Sequence, residues 1–147
     1  QGSPRLRFMP NGATHSAGPR IWIAPSFATL GVVGMHLLPG QDLAADDWWA
    51  VWHMDKLLHV LAFGFCGLTW VIALAKQRRL RKGGAFAMVL AGGALIFGMV
   101  LEAMQGAWMP GRFFDLADVA ADVAGAGLSL VAFEAIFGQK PGRIASD

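Results

Sequence analysis

Four long apolar runs divide the chain, and polar or charged segments separate them. The runs cover residues 21–38, 57–75, 85–104 and 116–137. Each run is close to the ~20 residues that a helix needs to cross ~30 Å of hydrocarbon. Only helices and closed barrels satisfy their backbone hydrogen bonds in lipid, and these runs are continuous rather than alternating. The pattern therefore predicts an all-α membrane protein, built as a bundle of four transmembrane helices.

The same runs divide the chain into three parts. Residues 1–20 are predicted to form a flexible basic segment, because polar residues, glycine and proline dominate there. Residues 21–138 form the predicted transmembrane domain, and residues 139–147 form a short cytoplasmic tail. The first run could instead be a cleaved signal peptide. Its 18 residues exceed the usual apolar core of about 7–15 residues, which favours a retained helix.

Composition agrees with a membrane location. Of the 147 residues, 55% are hydrophobic and 15% are charged, whereas soluble domains have about 25% charged residues. The formal net charge is only +2, so nucleic acid is not an expected partner. The single cysteine, Cys66, excludes an internal disulfide. Because Cys66 lies inside the second apolar run, we interpret it as a small core residue.

The basic residues predict how the helices are oriented. Lysine and arginine concentrate in cytoplasmic segments, and an even number of crossings places both termini and the loop between the second and third runs on one side. That side contains ten of the twelve cations: Arg5, Arg7, Arg20, Lys76, Arg78, Arg79, Arg81, Lys82, Lys140 and Arg143. Only Lys56 and Arg112 lie on the opposite side, where most acidic residues also fall. We therefore predict that both termini are cytoplasmic.

Tryptophan marks the predicted outer interface. Trp48, Trp49 and Trp52 precede the second run, and Trp108 follows the third. Because tryptophan favours the boundary between hydrocarbon and water, these side chains are interpreted as interface anchors. A platform for a partner protein or a lipid-linked ligand is the alternative interpretation of residues 48–52.

Polar residues capable of chemistry gather at three places near the outer ends of the second, third and fourth runs. They are Asp55, Lys56, His59, Glu102, Gln105, Arg112, Asp115, Asp118 and Asp122. Spacings of three or four residues place each set on one helix face. Because the second and fourth helices begin at the outer side and the third helix ends there, the three sets are predicted to form one cluster.

We predict that the deeper carboxylates are buried inside the bundle, because a charged group that faces lipid costs several kcal/mol. We interpret the cluster as a ligand-binding site, in which Arg112 is the natural bidentate partner of a carboxylate or phosphate. A structural network that fixes helix register is the alternative. The spacing of the four histidines predicts no metal centre, and no cofactor motif is visible. A site of Asp55, His59 and Glu102 is the one metal alternative.

Three segments together resemble the VanZ-like family of small integral membrane proteins. They are DKLLHVLAFGFCGL (55–68), LEAMQGAWMPGR (101–112) and FDLADVAADVAGAGLSL (114–130). The family signature falls on Asp55, Lys56, His59, Glu102, Gln105, Arg112 and Asp118. The chain differs from the family at Asp122, where Asn is usual, and at Asp115, where Ser is common. The two additional acids argue against a purely anionic ligand and favour a cation, a proton or a sugar-like group.

The resemblance implies a multi-pass protein of the bacterial inner membrane with an envelope role, and a link to teicoplanin-type glycopeptide resistance. The leading hypothesis is that the outer-leaflet polar pocket binds a lipid-linked or surface ligand, with membrane lipids as the expected partners. A second hypothesis is an accessory subunit that stabilises a larger membrane protein complex. A third is an enzyme with Glu102 or Asp118 as general base and His59 as acid. No nucleophile is visible in the sequence, so binding without catalysis is favoured.

Overall fold

The computed structural model describes residues 18–37, 54–77 and 84–138, and all regular structure in these segments is helical. A short 3-10 turn, Pro19–Trp22, leads into the first helix. The helices are α1 (Ile23–His36), α2 (Met54–Lys76), α3 (Gly84–Trp108) and α4 (Leu116–Phe137). The predicted all-helical class is therefore confirmed for the described part of the chain.

Three of these helices are long and apolar enough to cross a membrane. Helices α2, α3 and α4 contain 23, 25 and 22 residues, which corresponds to lengths of about 33–38 Å at 1.5 Å per residue. Helix α1 contains 14 residues and is only about 21 Å long. The predicted first run continues to residue 38, which lies outside the described residues. Four crossings and cytoplasmic termini therefore stay predictions.

Helices α2 and α3 extend beyond the apolar runs that predicted them. Helix α2 begins at Met54 rather than at residue 57, and α3 ends at Trp108 rather than at residue 104. The additional residues are largely polar or small, and a helix can continue past the hydrocarbon because water then satisfies its last backbone groups. Helix α3 stops just before Pro110, and Gly111 follows with φ 78°. That left-handed conformation favours glycine.

Helix α4 begins where the sequence predicts, at Leu116, because Asp115 caps it. The Asp115 backbone is extended, and its Oδ1 accepts a hydrogen bond from the backbone N–H of Ala117 at 2.8 Å. An aspartate in this position satisfies one of the otherwise unpaired N–H groups of the first turn. The cap also holds the Asp115 side chain at the end of the bundle where the polar residues of α2, α3 and α4 meet.

Glycines bring helices α2 and α4 into backbone contact. A Cβ atom added to Gly125 would lie 2.9 Å from the backbone N of Gly64, and one added to Gly64 would lie 3.3 Å from the Gly125 carbonyl oxygen. Helices α3 and α4 also pack on each other, as their small residues predict, but the α2–α4 interface is the more extensive. Small residues permit this close approach in membrane helices. Helix α4 thus packs against both α2 and α3.

The distribution of side chains fits a membrane environment. One small cluster of buried apolar residues contains Val32, Phe63, Cys66, Ala94, Leu101 and Ala126. Large apolar side chains cover the outside instead, including Phe27, Met88, Val89 and Ile96. The most deeply buried side chains include His36, Glu102 and Asp122. Apolar groups therefore face outward, and polar groups are enclosed by the helices.

Candidate functional site

Three charged side chains form a partly exposed rim at one end of the bundle. Lys56 on α2 places its Nζ 3.4 Å from Asp55 Oδ2 and 2.9 Å from Asp115 Oδ2. The exposed fractions of the side chains are 27% for Lys56, 43% for Asp55 and 46% for Asp115. We call Asp55, Lys56 and Asp115 the rim. Its charged groups remain accessible to water or to a ligand from that end of the bundle.

Asp118 connects the rim to the interior. Its Oδ1 accepts a hydrogen bond from Lys56 Nζ at 2.7 Å, although the Asp118 side chain is only 6% exposed. Asp115 and Asp118 lie three residues apart, so both reach Lys56 from the same face of the α4 start. A single ammonium group therefore contacts carboxylates from both α2 and the start of α4.

The Lys56 ammonium has an electrostatic effect on the loop residue Asp115. Its hydrogen bond to Lys56 lowers the pKa of the Asp115 carboxyl, and the capping bond from the Ala117 N–H lowers this pKa further. Both interactions favour the ionised carboxylate. Asp115 is therefore a persistent negative charge at the rim.

Beneath the rim, a histidine and an aspartate form a buried pair. His59 Nδ1 lies 2.9 Å from Asp122 Oδ1, and the Asp122 side chain is fully buried. A glycine on α3 provides the space, because a Cβ atom at Gly98 would lie 2.5 Å from Asp122 Oδ2. An aspartate in this position orients the imidazole ring, as in acid–base sites and metal sites. The enzyme hypothesis nevertheless stays a prediction.

His36 and Glu102 complete the buried part of the site. His36 Nδ1 lies 2.8 Å from the carbonyl oxygen of Val32, so its Nε2 is the ring nitrogen directed into the bundle. This Nε2 lies 4.0 Å from Glu102 Oε1, and the ring of His36 meets that of His59 edge to face at 4.8 Å between centroids. Glu102 Oε2 accepts a hydrogen bond from the backbone N–H of Asp115 at 3.2 Å.

We call His36, His59, Glu102 and Asp122 the inner group. Three of its atoms are buried and have no hydrogen-bond partner within the described part of the chain: His36 Nε2, Glu102 Oε1 and Asp122 Oδ2. An unpaired buried polar atom costs about 1–3 kcal/mol. Native structures tolerate few such atoms, and they often mark a functional site. The inner group is therefore poorly explained as a structural network that only fixes helix register.

Two sets of side chains in this region have the geometry to hold a metal ion. One contains His36, His59 and Asp122, and the other contains His59, Glu102 and Asp118. Within each set, one donor atom from each residue lies within 4.8 Å of the others, and all of these residues are buried. Asp55, which the sequence offered with His59 and Glu102 as a metal alternative, lies on the rim and belongs to neither set.

The structure brings most of the predicted site residues together. The rim and its connection to the interior contain Asp55, Lys56, Asp115 and Asp118. The inner group contains His59, Glu102 and Asp122. Gln105 is buried on α3, one turn after Glu102.

Arg112 makes no ionic contact with the carboxylates of the cluster. Its backbone N–H donates to the Met109 carbonyl at 3.2 Å, but its side chain forms no ion pair with any residue that the structure describes. The reason is positional: Arg112 lies in the turn after α3, whereas Lys56 projects from α2 between the acids. Its role as bidentate partner of a ligand carboxylate or phosphate, which the sequence suggested for Arg112, stays a prediction.

The interface anchors are only partly covered by the described segments. Trp108 ends α3 with an exposed side chain, the position that an interfacial tryptophan requires. Trp48, Trp49 and Trp52 lie outside the described residues.

His36 is the functional candidate that sequence reasoning missed. The four histidines lack metal-ligand spacing along the chain, so spacing alone does not point to His36. The available signal was its position, since His36 ends α1 at the end of the bundle where α2 begins. A lone polar residue in an apolar helix usually faces other polar groups inside the bundle.

Comparison with known proteins adds no assignment. No model of a known protein family, no curated protein and no solved structure matches the chain. Membership in the VanZ-like family is therefore a prediction that rests on the three segments and their spacing alone.

Proposed function

We propose that this chain is a multi-pass membrane protein of the cell envelope, and that its rim binds the polar head group of a lipid-linked or surface ligand. The observation that carries the proposal is the layered cluster. Three partly exposed charges at the rim lie directly above a buried polar layer. Charged groups held at the end of membrane-spanning helices are functional candidates by default.

Charge indicates the chemistry of this ligand. The rim, Asp118 and the inner group together contain five carboxylates and one lysine, and that lysine already contacts three of the acids. An anionic head group would meet repulsion here. A head group with hydroxyls or an amine would instead donate hydrogen bonds to the accessible oxygens of Asp55 and Asp115. An amino sugar on a lipid anchor is the class that fits best.

The VanZ-like resemblance agrees with this proposal. It implies an envelope location in the bacterial inner membrane and a link to glycopeptide resistance of the teicoplanin type. Both inferences depend on family membership. A rim that faces the outer leaflet would expose the ligand site to the cell surface, where such compounds act.

The orientation can be tested by cysteine labelling. In a Cys66→Ala background, single cysteines are introduced at Gly83 and at Asp42 and treated in intact cells with a membrane-impermeant maleimide. The basic residues around Gly83 predict that its cysteine is protected, while the cysteine at Asp42 is labelled. The reverse pattern would contradict the proposed orientation.

The ligand proposal is tested with defined lipids. The full chain in lipid nanodiscs is mixed with diacylglycerol carrying glucosamine, diacylglycerol carrying glucose, or phosphatidylglycerol, and bound lipid is quantified by native mass spectrometry. We expect the glucosamine lipid to bind best and phosphatidylglycerol to bind least. A double variant, Asp55→Asn with Asp115→Asn, should lower binding of the glucosamine lipid at least tenfold.

The matched control is Glu134→Gln, which removes one carboxylate from α4 at the opposite end of the helix. It should bind the glucosamine lipid as the unmodified chain does. Preferred binding of phosphatidylglycerol, or equal binding by the double variant and the control, would refute the proposal.

An accessory subunit of a larger membrane assembly is the second candidate function. The observation that favours it is the open surface of α3, where a Cβ atom at Gly92 or Gly93 would meet nothing within 4 Å. Such a surface suits close packing against a helix of another protein. Gentle extraction followed by native gels should then show a large complex. Gly93→Leu should dissociate it without unfolding the chain.

A further inference from the structure

The inner group contains donor atoms that no residue in segments 18–37, 54–77 and 84–138 satisfies. His36 Nε2 and Glu102 Oε1 face each other at 4.0 Å, and neither has a hydrogen-bond partner. Both side chains are almost completely buried, with 1% of each exposed. Two such atoms at this separation are too far apart for a good hydrogen bond. The separation is nevertheless short enough for both atoms to contact one ion placed between them.

Each histidine of the inner group lies near both carboxylates. His36 lies 4.0 Å from Glu102 and, through one donor atom, within 4.8 Å of Asp122. His59 likewise lies within 4.8 Å of a donor atom of Glu102 and 2.9 Å from Asp122. Donor atoms around one tetrahedral zinc ion lie roughly 3.3 Å apart, given bonds of about 2.0–2.2 Å. These side chains would therefore move closer together when they bind one ion.

Charge favours a divalent cation in the inner group. With neutral imidazoles, the two carboxylates contribute two negative charges. The lysine nearest to them is held by Asp55, Asp115 and Asp118 at 2.7–3.4 Å. No described lysine or arginine pairs with Glu102 or Asp122. Two buried carboxylates without a fixed cation are costly in a poorly hydrated site. One divalent ion would balance them.

We infer that His36, His59, Glu102 and Asp122 bind one divalent transition-metal ion of the zinc class. Two imidazoles and two carboxylates form a donor set that zinc accepts, whereas calcium and magnesium require oxygen ligands. Asp122 and Glu102 are assigned as ligands rather than Asp118, because Asp122 Oδ2 and Glu102 Oε1 have no hydrogen-bond partner among the described residues. Asp118 Oδ1 instead accepts a hydrogen bond from the Lys56 ammonium at 2.7 Å. This site is separate from the rim, and its test needs no knowledge of the ligand proposed above.

The first test uses the unmodified full chain, purified in mild detergent without a histidine tag and treated with a chelator. Zinc chloride, cobalt chloride and magnesium chloride are each titrated while binding heat is recorded. We expect one zinc or one cobalt ion per chain and no measurable binding of magnesium. Absence of stoichiometric zinc and cobalt binding would overturn the inference, whatever the result of the lipid experiment.

The coordination sphere is tested without any substitution. X-ray absorption at the zinc edge distinguishes imidazole ligands from oxygen and sulfur ligands. We expect two imidazoles, further oxygen ligands and no sulfur. A spectrum without imidazole, or with a sulfur ligand, would contradict the assignment. Because this measurement uses the unmodified chain, it decides the question even where a variant fails to fold.

Variants then locate the ion. His36→Gln, Glu102→Gln and Asp122→Asn should each weaken zinc binding at least tenfold while the chain still elutes as a folded particle in gel filtration. Glu134→Gln is the matched control for the carboxylate changes. A double variant, His15→Asn with His53→Asn, controls for the remaining histidines. Both controls should bind zinc as the unmodified chain does. Weakening in the histidine control, or unchanged affinity in all three test variants, would refute the four-residue site.

Discussion

The contact between helices α2 and α4 depends on Gly125. A Cβ atom added there would lie 2.9 Å from the backbone N of Gly64 and 3.0 Å from the carbonyl carbon of Val60. Backbone atoms of a helix cannot rotate away as a flexible side chain can. We therefore expect Gly125→Ala to push the two helices apart. Overpacking of this kind costs about 1–3 kcal/mol.

Gly127→Ala is the matched control for this prediction. Gly127 lies two residues further along α4, where an added Cβ atom would meet nothing within 4 Å. Both substitutions gain the same helix propensity, which is at most about 1 kcal/mol. The difference in unfolding free energy between the two variants therefore isolates the clash. We expect Gly125→Ala to be less stable than Gly127→Ala by about 1–3 kcal/mol.

The assay is equilibrium unfolding by increasing fractions of SDS in mixed micelles, followed by helical circular dichroism. A difference of 1.4 kcal/mol corresponds to a tenfold change in the unfolding equilibrium. Because α2 carries His59 and α4 carries Asp122, Gly125→Ala should also weaken zinc binding. Equal stability of the two alanine variants, within about 0.5 kcal/mol, would refute the proposed close packing.

Two further predictions concern the rim. Lys56→Met should destabilise the chain by about 1–2 kcal/mol, because Asp118 then lacks its cation at a nearly buried position. The double variant Lys56→Met with Asp118→Asn should recover most of this lost stability in the same SDS unfolding assay. If the stability losses of the two single variants simply add, the pairing of Lys56 with Asp118 is contradicted. Asp115→Asn keeps the α4 cap but removes the charge that Lys56 contacts. Lys56 lowers the pKa of Asp115 from its ordinary value of 3.8, so this charge stabilises the fold above about pH 5 and the contribution is lost as the pH falls. The unfolding free energy of the unmodified chain should therefore exceed that of Asp115→Asn by less than about 1 kcal/mol at pH 7, since Asp115 is half-exposed. The two values should converge as the pH falls through the lowered pKa of Asp115. A difference independent of pH would contradict the ion pair.

The helices could be predicted from the sequence to a large extent. Long continuous apolar runs have few alternatives in lipid, because only a helix satisfies every backbone group within one segment. Helix α4 covers Leu116–Phe137, as the fourth run predicts. The start of α2 and the end of α3 differ from the ends of the predicted runs. Hydropathy reports only the segment that fits the hydrocarbon, whereas a helix continues until a residue such as Pro110 stops it.

The set of residues that forms the site could be predicted only in part. Helical spacing predicted that His59 and Asp122 lie on faces that can meet, and the structure joins them at 2.9 Å. The same spacing does not point to His36, which α1 contributes to the inner group. Spacing along one helix cannot decide which residues of different helices become neighbours, because that depends on the order and rotation of the packed helices.

The sequence by itself determined the helical class, the long apolar segments and the concentration of acidic residues near one end of three helices, since these follow from local composition and helical periodicity. Only the tertiary structure decided which polar groups are exposed and which are enclosed. Close packing of α2 against α4 brings Lys56 to Asp118, and His36 from α1 reaches the same interior. Burial is a property of several packed helices together, and it encloses donor atoms of His36 and Glu102 that no described residue pairs with.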